Sequence, residues 1–170
     1  MTTPLRIDGR SLTLEDVERV ADSVTCPVAL TPGAEARIRA SRDVVDRAVA
    51  EQRVVYGITT GFGALADVVI PPEHIRELQT NLIHSHAAGT GDPLDERNTR
   101  ATMLLRANVL AAGCSGVRLE LVALLLELLN RGVHPVIPGL GSVGASGDLA
   151  PLAHLAQVLL GEGEAVVGEE

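Results

Sequence analysis

The stretch Gly139-Leu140-Gly141-Ser142-Val143-Gly144-Ala145-Ser146-Gly147-Asp148 decides how this chain is read. At its centre, Ala145-Ser146-Gly147 can turn its own backbone into an electrophile. The amide nitrogen of Gly147 attacks the carbonyl carbon of Ala145 and closes a five-membered ring. Loss of one water from that ring and one from the Ser146 side chain leaves a conjugated methylidene-imidazolone. The residue types suit the chemistry. Glycine offers an unhindered nitrogen and a permissive backbone, serine supplies the leaving hydroxyl, and alanine adds no bulk. Gly139, Gly141 and Gly144 ahead of the triad let the chain bend tightly enough for closure. Such a group needs no external cofactor, and it provides an electrophile, which ordinary side chains do not.

Downstream, Leu149, Leu152, Leu155, Val158 and Leu159 recur at helical spacing. Asp148 is the expected N-cap of that helix, with Pro151 tolerated in its first turn. The triad then stands just before a helix N-terminus, whose dipole favours negative charge developing nearby. The run Gly139 to Gly144 also satisfies G-x-G-x-x-G. A dinucleotide fingerprint, however, needs a preceding strand and a helix opening inside the glycine run. Here Pro135 and Pro138 bracket only two residues, the helical pattern begins after Gly147, and no alternating strand–helix units are read elsewhere. Nucleotide binding is therefore disfavoured.

Further upstream the pattern is mostly helical. Thr13 and Asp16 form a capping-box pair opening a short amphipathic helix through Leu14, Val17, Val20 and Ala21. Pro27 to Leu30 reads as extended. Thr31-Pro32 opens a second helix to about Gln52, with Ile38, Val45, Ala48 and Val49 on one face. Val54 to Ile70 is glycine-rich and irregular. Pro71-Pro72 starts a third helix through Leu82, and Pro93 or Asp95 starts a fourth that ends near Gly113. The helix expected from Val117 to Asn130 carries an apolar run, Leu119 to Leu129, that only Glu120 and Glu127 interrupt, so it expects neighbours all round, with Gly132 ending it. The tail from Gly161 is acidic and glycine-rich and reads as carrying no closing element.

Composition narrows the function. The 170 residues contain one Tyr, one Phe and no Trp, so the core is aliphatic. Both aromatics, Tyr56 and Phe62, fall in the glycine-rich loop, which makes them either a site or a small aromatic plug beneath it. A net charge of −8 argues against a nucleic-acid binder, whose phosphate contacts require basic patches. Cys26 and Cys114 have no metal or redox spacing and read as reduced thiols. His84 and His86, two apart on a helix, point in different directions with no Cys or acidic cluster beside them, so no metal site is expected. Without a signal-peptide pattern or an apolar run of spanning length, the expectation is a soluble, cytoplasmic protein with no membrane partner.

The run Gly141 to Ala153 resembles the signature of the aromatic amino acid ammonia-lyases. The likeness extends through Tyr56-Gly-Ile-Thr-Thr-Gly-Phe-Gly63, Leu78-Gln-Thr-Asn-Leu-Ile-His-Ser-His-Ala-Ala-Gly89, Arg97 to Arg100 and Arg106 to Leu110, in the family's order. Within the family the sequence is most similar to the histidine ammonia-lyases. The resemblance implies a mainly α fold: the N-terminal segment of a helical bundle with irregular, Gly-rich active-site loops. Residues 1–112 would form a head region carrying the Tyr56 loop, and 113–170 the start of the central bundle carrying the Ala-Ser-Gly loop, in a chain that reads as truncated.

The family's functional residues carry over by position. Tyr56 corresponds to the catalytic tyrosine that removes the β-proton, a base whose phenolate the surroundings must favour. Phe62 and Gly63 shape its loop. Ala145, Ser146 and Gly147 correspond to the methylidene-imidazolone, and Asp148 supports its formation. Ser85-His86 corresponds to the pair contacting the substrate ring. Histidine lyases tend to carry Ser-His there, tyrosine lyases His-Leu and phenylalanine lyases Phe-Leu; a histidine can exchange hydrogen bonds with an imidazole. The resemblance thus implies non-oxidative deamination of L-histidine to trans-urocanate by a homotetramer acting on a small-molecule amino acid. The alternatives are a tyrosine ammonia-lyase or 2,3-aminomutase of the same family, or a catalytically incomplete piece serving only in assembly.

Overall fold

The computed structural model describes residues 3–143, 145 and 147–167. Gly144 and Ser146 lie outside the described residues. Among the described residues six α-helices dominate: α1 (Leu14–Ala21), α2 (Pro32–Ala50), α3 (Ile75–His86), α4 (Glu96–Ala111), α5 (Leu119–Asn130) and α6 (Leu149–Leu159). The expectation of a mainly α fold holds.

Local chemistry explains the boundaries. Thr13 accepts from the Asp16 amide while the Asp16 side chain reaches back, completing the capping box of α1. Thr31 accepts from the Ala34 amide ahead of Pro32, and Asp95 accepts from the Asn98 amide at the start of α4. Gly132, at φ +66°, takes the left-handed turn beyond α5.

Helix α4 is the hub. Thr99, Arg100, Met103, Leu104, Ala107, Leu110 and Ala111 are all buried, a helical stripe that packs against α1, α2 and α5. The aliphatic core joins this stripe to Ile7, Val20, Val28, Leu30, Ile38, Val122, Leu125, Leu129, Ile137 and Leu155. Helix α5 departs from expectation. It buries Val122, Leu125, Leu126 and Leu129, but Ala123 and Leu124 face outward, so among the described residues its neighbours lie on one side.

Among the described residues, three two-stranded ladders supplement the helices. Strands β1 (Leu5–Ile7) and β2 (Val28–Leu30) pair in parallel on either side of α1, forming a single βαβ unit that the sequence reading missed. Strand β3 (Thr90–Pro93) pairs antiparallel with β5 (Pro138–Leu140), with an irregularity between its ends. Strand β4 (Val133–Pro135) pairs with β6 (Ala165–Val167), so the acidic tail does carry a pairing element, contrary to expectation. A strand does overlap the glycine run at Pro138–Leu140, but α6 opens only at Leu149. The dinucleotide arrangement is still not formed.

Arg100 is 1% exposed and donates to Val20 O, Ser23 O and Leu129 O at 2.9, 2.9 and 3.1 Å. It thereby supplies donors to carbonyls in the last turns of α1 and α5, where the helices' own amides run out; Leu129 O also accepts from Gly132 N–H at 3.4 Å. Arg100 Nη1 also donates to Nε2 of the buried His134 at 3.2 Å.

Burial holds the His134 pKa below the ordinary 6.5; Glu96 opposes this and Arg100 reinforces it. The unfolded chain then takes up the proton at higher pH than the folded one. The His134 contribution to stability is complete above about pH 6.5 and is lost as pH falls through the lower folded value. The melting temperature is expected to drop on acidification below about pH 6.5, and His134→Gln, which offers Arg100 an oxygen but does not titrate, should flatten that drop. Superimposable melting curves across the pH range would refute this.

Candidate active site

The Tyr56 loop is built by threonines and glycines. Thr59 and Thr60 are buried; the Thr59 hydroxyl accepts from the Val55 amide at 2.9 Å and the Ile70 amide closes on Thr59 O at 2.9 Å. Gly61 N–H donates to Val68 O at 3.0 Å, so the loop folds back on itself as a compact unit. Gly57, at φ +70°, lets the chain pass Phe62 where a Cβ would stand 2.9 Å from its ring. The Tyr56 and Phe62 rings meet edge to face, centroids 5.9 Å apart. Tyr56 Oη accepts from Gly63 N–H at 3.3 Å, and Tyr56 is 62% exposed. The three loop residues singled out from the sequence therefore contact one another, with the tyrosine facing outward.

Ser85 and His86 end α3. His86 Nδ1 lies 2.9 Å from Leu82 O and 3.0 Å from Ser85 Oγ. A carbonyl oxygen can only accept, which assigns the ring proton to Nδ1 and leaves Nε2 of the neutral imidazole as an acceptor. Ser85 Oγ itself donates to Leu82 O at 2.8 Å.

The Ala145 loop precedes α6. Ala145 is exposed, and Gly147 has φ +63° with nothing within 4 Å of the position a Cβ would take. That is the backbone glycine adopts cheaply, with room around it, and both features fit ring closure. Ser146 lies outside the described residues. Asp148 occupies the N-cap position as expected, but its side chain makes no cap bond. It accepts instead from the Ser142 hydroxyl at 3.2 Å, bridging the loop's two arms. With φ −92° and ψ 20°, Asp148 has turned out of the extended geometry that aims a capping side chain at the helix amides.

Two connections that the sequence reading missed hang these parts on α3. Gln79 Nε2 donates to Gly57 O at 3.2 Å, tying the Tyr56 loop to the helix. Gly89 N–H donates to His154 Nε2 at 3.0 Å, tying the end of α3 to α6, against which α3 packs. Gly139 and Gly141 permit the close β3–β5 crossing: a Cβ on Gly141 would stand 3.1 Å from Gly89 Cα. Among the described residues, no hydrogen bond or ring contact directly joins Tyr56, His86 and Ala145. Leu140, Val143 and Leu149 around the loop are exposed. Two surface depressions lie elsewhere, one along α2 and one between β2 and α5. Among the described residues, no group of three or more His, Cys, Asp or Glu able to hold a metal occurs, and none of their helices is long and apolar enough to cross a membrane.

The sequence profile of the aromatic amino acid lyases matches residues 12–170. The chain belongs to the aromatic amino acid lyase family. It is 59% identical over 161 residues to a histidine ammonia-lyase of Stigmatella aurantiaca, covering 95% of this chain and 31% of that protein. Among solved structures it resembles histidine ammonia-lyase from Trypanosoma cruzi at 42% identity and a TM-score of 0.87, covering 97% of this chain and 31% of that one. Tyrosine aminomutase from Streptomyces globisporus is also similar, at 37% identity and a TM-score of 0.89, covering 99% and 31%. The chain thus spans about a third of the length of these relatives.

Proposed function

We propose that the protein is a carbon–nitrogen lyase that deaminates L-histidine non-oxidatively to trans-urocanate and ammonia, using a methylidene-imidazolone formed from Ala145, Ser146 and Gly147. The observation that carries this reading is the attachment of all three site elements to α3: the Tyr56 loop through Gln79, Ser85-His86 directly, and the triad's helix through His154.

When formed, the methylidene-imidazolone withdraws electron density from the substrate so that ammonia can leave. Tyr56 takes the β-proton, its hydroxyl oxygen held by Gly63 N–H. His86 Nε2 accepts from the substrate's imidazole N–H, an interaction a phenyl ring cannot offer. Ser142 and Asp148 brace the loop that must be compressed for closure. The exposed Leu140, Val143 and Leu149 supply the apolar surface that further helices and neighbouring subunits of a cytoplasmic homotetramer would cover. The similarity to a tyrosine aminomutase keeps a tyrosine ammonia-lyase or 2,3-aminomutase as the second reading, with His86 arguing for histidine.

Intact mass tests the proposal most directly. The protein is expected to weigh less than its sequence by two waters, with the deficit mapping to the peptide that holds Ser146. Ser146→Ala, which has no hydroxyl to lose, should abolish the complete two-water deficit. A full sequence mass for the parent protein would overturn the assignment of the electrophile.

A further inference from the structure

The turn that follows His86 is held from across the site. Ala87 N–H closes on Ile83 O at 3.0 Å and Ala88 N–H on His86 O at 2.8 Å, so α3 ends tightly. The next amide, Gly89 N–H, reaches His154 Nε2 at 3.0 Å. Among the described residues, no other side chain bonds the backbone from Ala87 to Gly89. His154 is half-buried on α6, within two turns of Asp148. The junction is crowded. A Cβ on Gly89 would stand 3.1 Å from His154 Nε2 and 3.2 Å from Pro138 Cβ, and one on Gly141 would stand 3.1 Å from Ala150 Cβ. The end of α3, the strand leading into the glycine run and the first turns of α6 therefore meet at one point. Acceptance by Nε2 places the ring proton of neutral His154 on Nδ1.

We propose that His154 is a positioning residue for substrate recognition: by holding the Gly89 turn, it sets His86 at a fixed distance and angle from the Ala145–Gly147 loop carried on the same helix as His154. The inference rests on the reading of His86 as the substrate-ring contact. Among the described residues, the hydrogen bond of His154 goes to the Gly89 backbone and not to Tyr56, His86, Ala145 or Gly147. Its effect runs through the backbone that ends α3, where a shift of about 1 Å is enough to weaken a directional contact by up to about a hundredfold.

The test uses His154→Leu, which removes the acceptor, and His154→Gln, whose amide oxygen can replace it, each alone and combined with His86→Leu in the active protein. His154→Leu is expected to speed hydrogen exchange at the Gly89 amide about fivefold to tenfold, the loss of about one hydrogen bond. It should raise KM for L-histidine about tenfold with a smaller change in kcat, and add little once His86 is already leucine. His154→Gln should return both readouts to within about threefold of the parent. An unchanged KM in His154→Leu, or an undiminished effect in the His86→Leu background, would overturn the proposal. Should the leucine variant not fold, the glutamine variant decides: a parent-like KM supports the role and a raised one overturns it. A parent that neither loses two waters nor turns over L-histidine overturns the underlying reading. That outcome is distinct from an active parent whose variants behave alike.

Discussion

Replacing Arg100 with methionine is expected to lower the free energy of unfolding by about 3 to 4 kcal/mol, read as a reduced urea midpoint at unchanged slope. The guanidinium is buried and makes four bonds, three of them to main-chain oxygens and one to His134. Hydrogen bonds from a charged donor contribute about 1.5 to 3 kcal/mol each when cut singly. The sum overshoots, because methionine also removes the cost of keeping a cation out of water with none of its hydrogen bonds going to a carboxylate. What remains is the cost of the Val20 and Ser23 carbonyls left without the Arg100 donor, whereas Leu129 O keeps Gly132 N–H at 3.4 Å. Arg100→Lys keeps the charge but not the fork of donors and should lose about 2 kcal/mol. A methionine variant within about 1 kcal/mol of the parent would mean that the buried guanidinium gives no net stabilisation.

The elements legible in the sequence are those with a local cause. The Thr13–Asp16 box, the Thr31-Pro32 helix start and the Gly132 stop are all decided within four residues of chain and stand where the sequence puts them, and of the two starts it offers for α4, Pro93 and Asp95, the structure uses Asp95. Strands β3 and β5 read Thr-Gly-Asp-Pro and Pro-Gly-Leu, compositions that disfavour a strand; they pair because glycines let two backbones approach between α3 and α6. The outward face of α5 was illegible for a related reason, since an apolar sequence states what a helix can bury and not which neighbours it has. The site divides the same way. Tyr56, His86 and the triad stand out by residue type and motif. Gln79 and His154 act through side-chain bonds to backbone 22 and 65 residues away, and no local period announces a bond of that kind. Asp148 stands at the start of α6 as its residue type predicts, yet its partner depends on a loop conformation that the residue type alone does not dictate.

Tyr56→Phe in the active protein is expected to lower kcat about a thousandfold while leaving the two-water mass deficit in place. The geometry makes this substitution unusually clean. Phenylalanine keeps the ring that packs edge to face on Phe62, a contact contributing about 1 kcal/mol, and removes only the oxygen that accepts from Gly63 N–H. The loop's own closure runs through Thr59, Gly61 and Gln79, none of which bonds that oxygen, so the loop has no reason to collapse. Phe62→Leu is the converse control: it removes the ring contact and keeps the hydroxyl, and its kcat should stay within about tenfold of the parent. The two variants separate a base from a packing residue. Ser146→Ala stands apart from both, losing the two-water mass deficit and the turnover together. If Tyr56→Phe retains turnover within about tenfold, the proton is taken by another group, and the outward-facing hydroxyl of Tyr56 serves the loop instead.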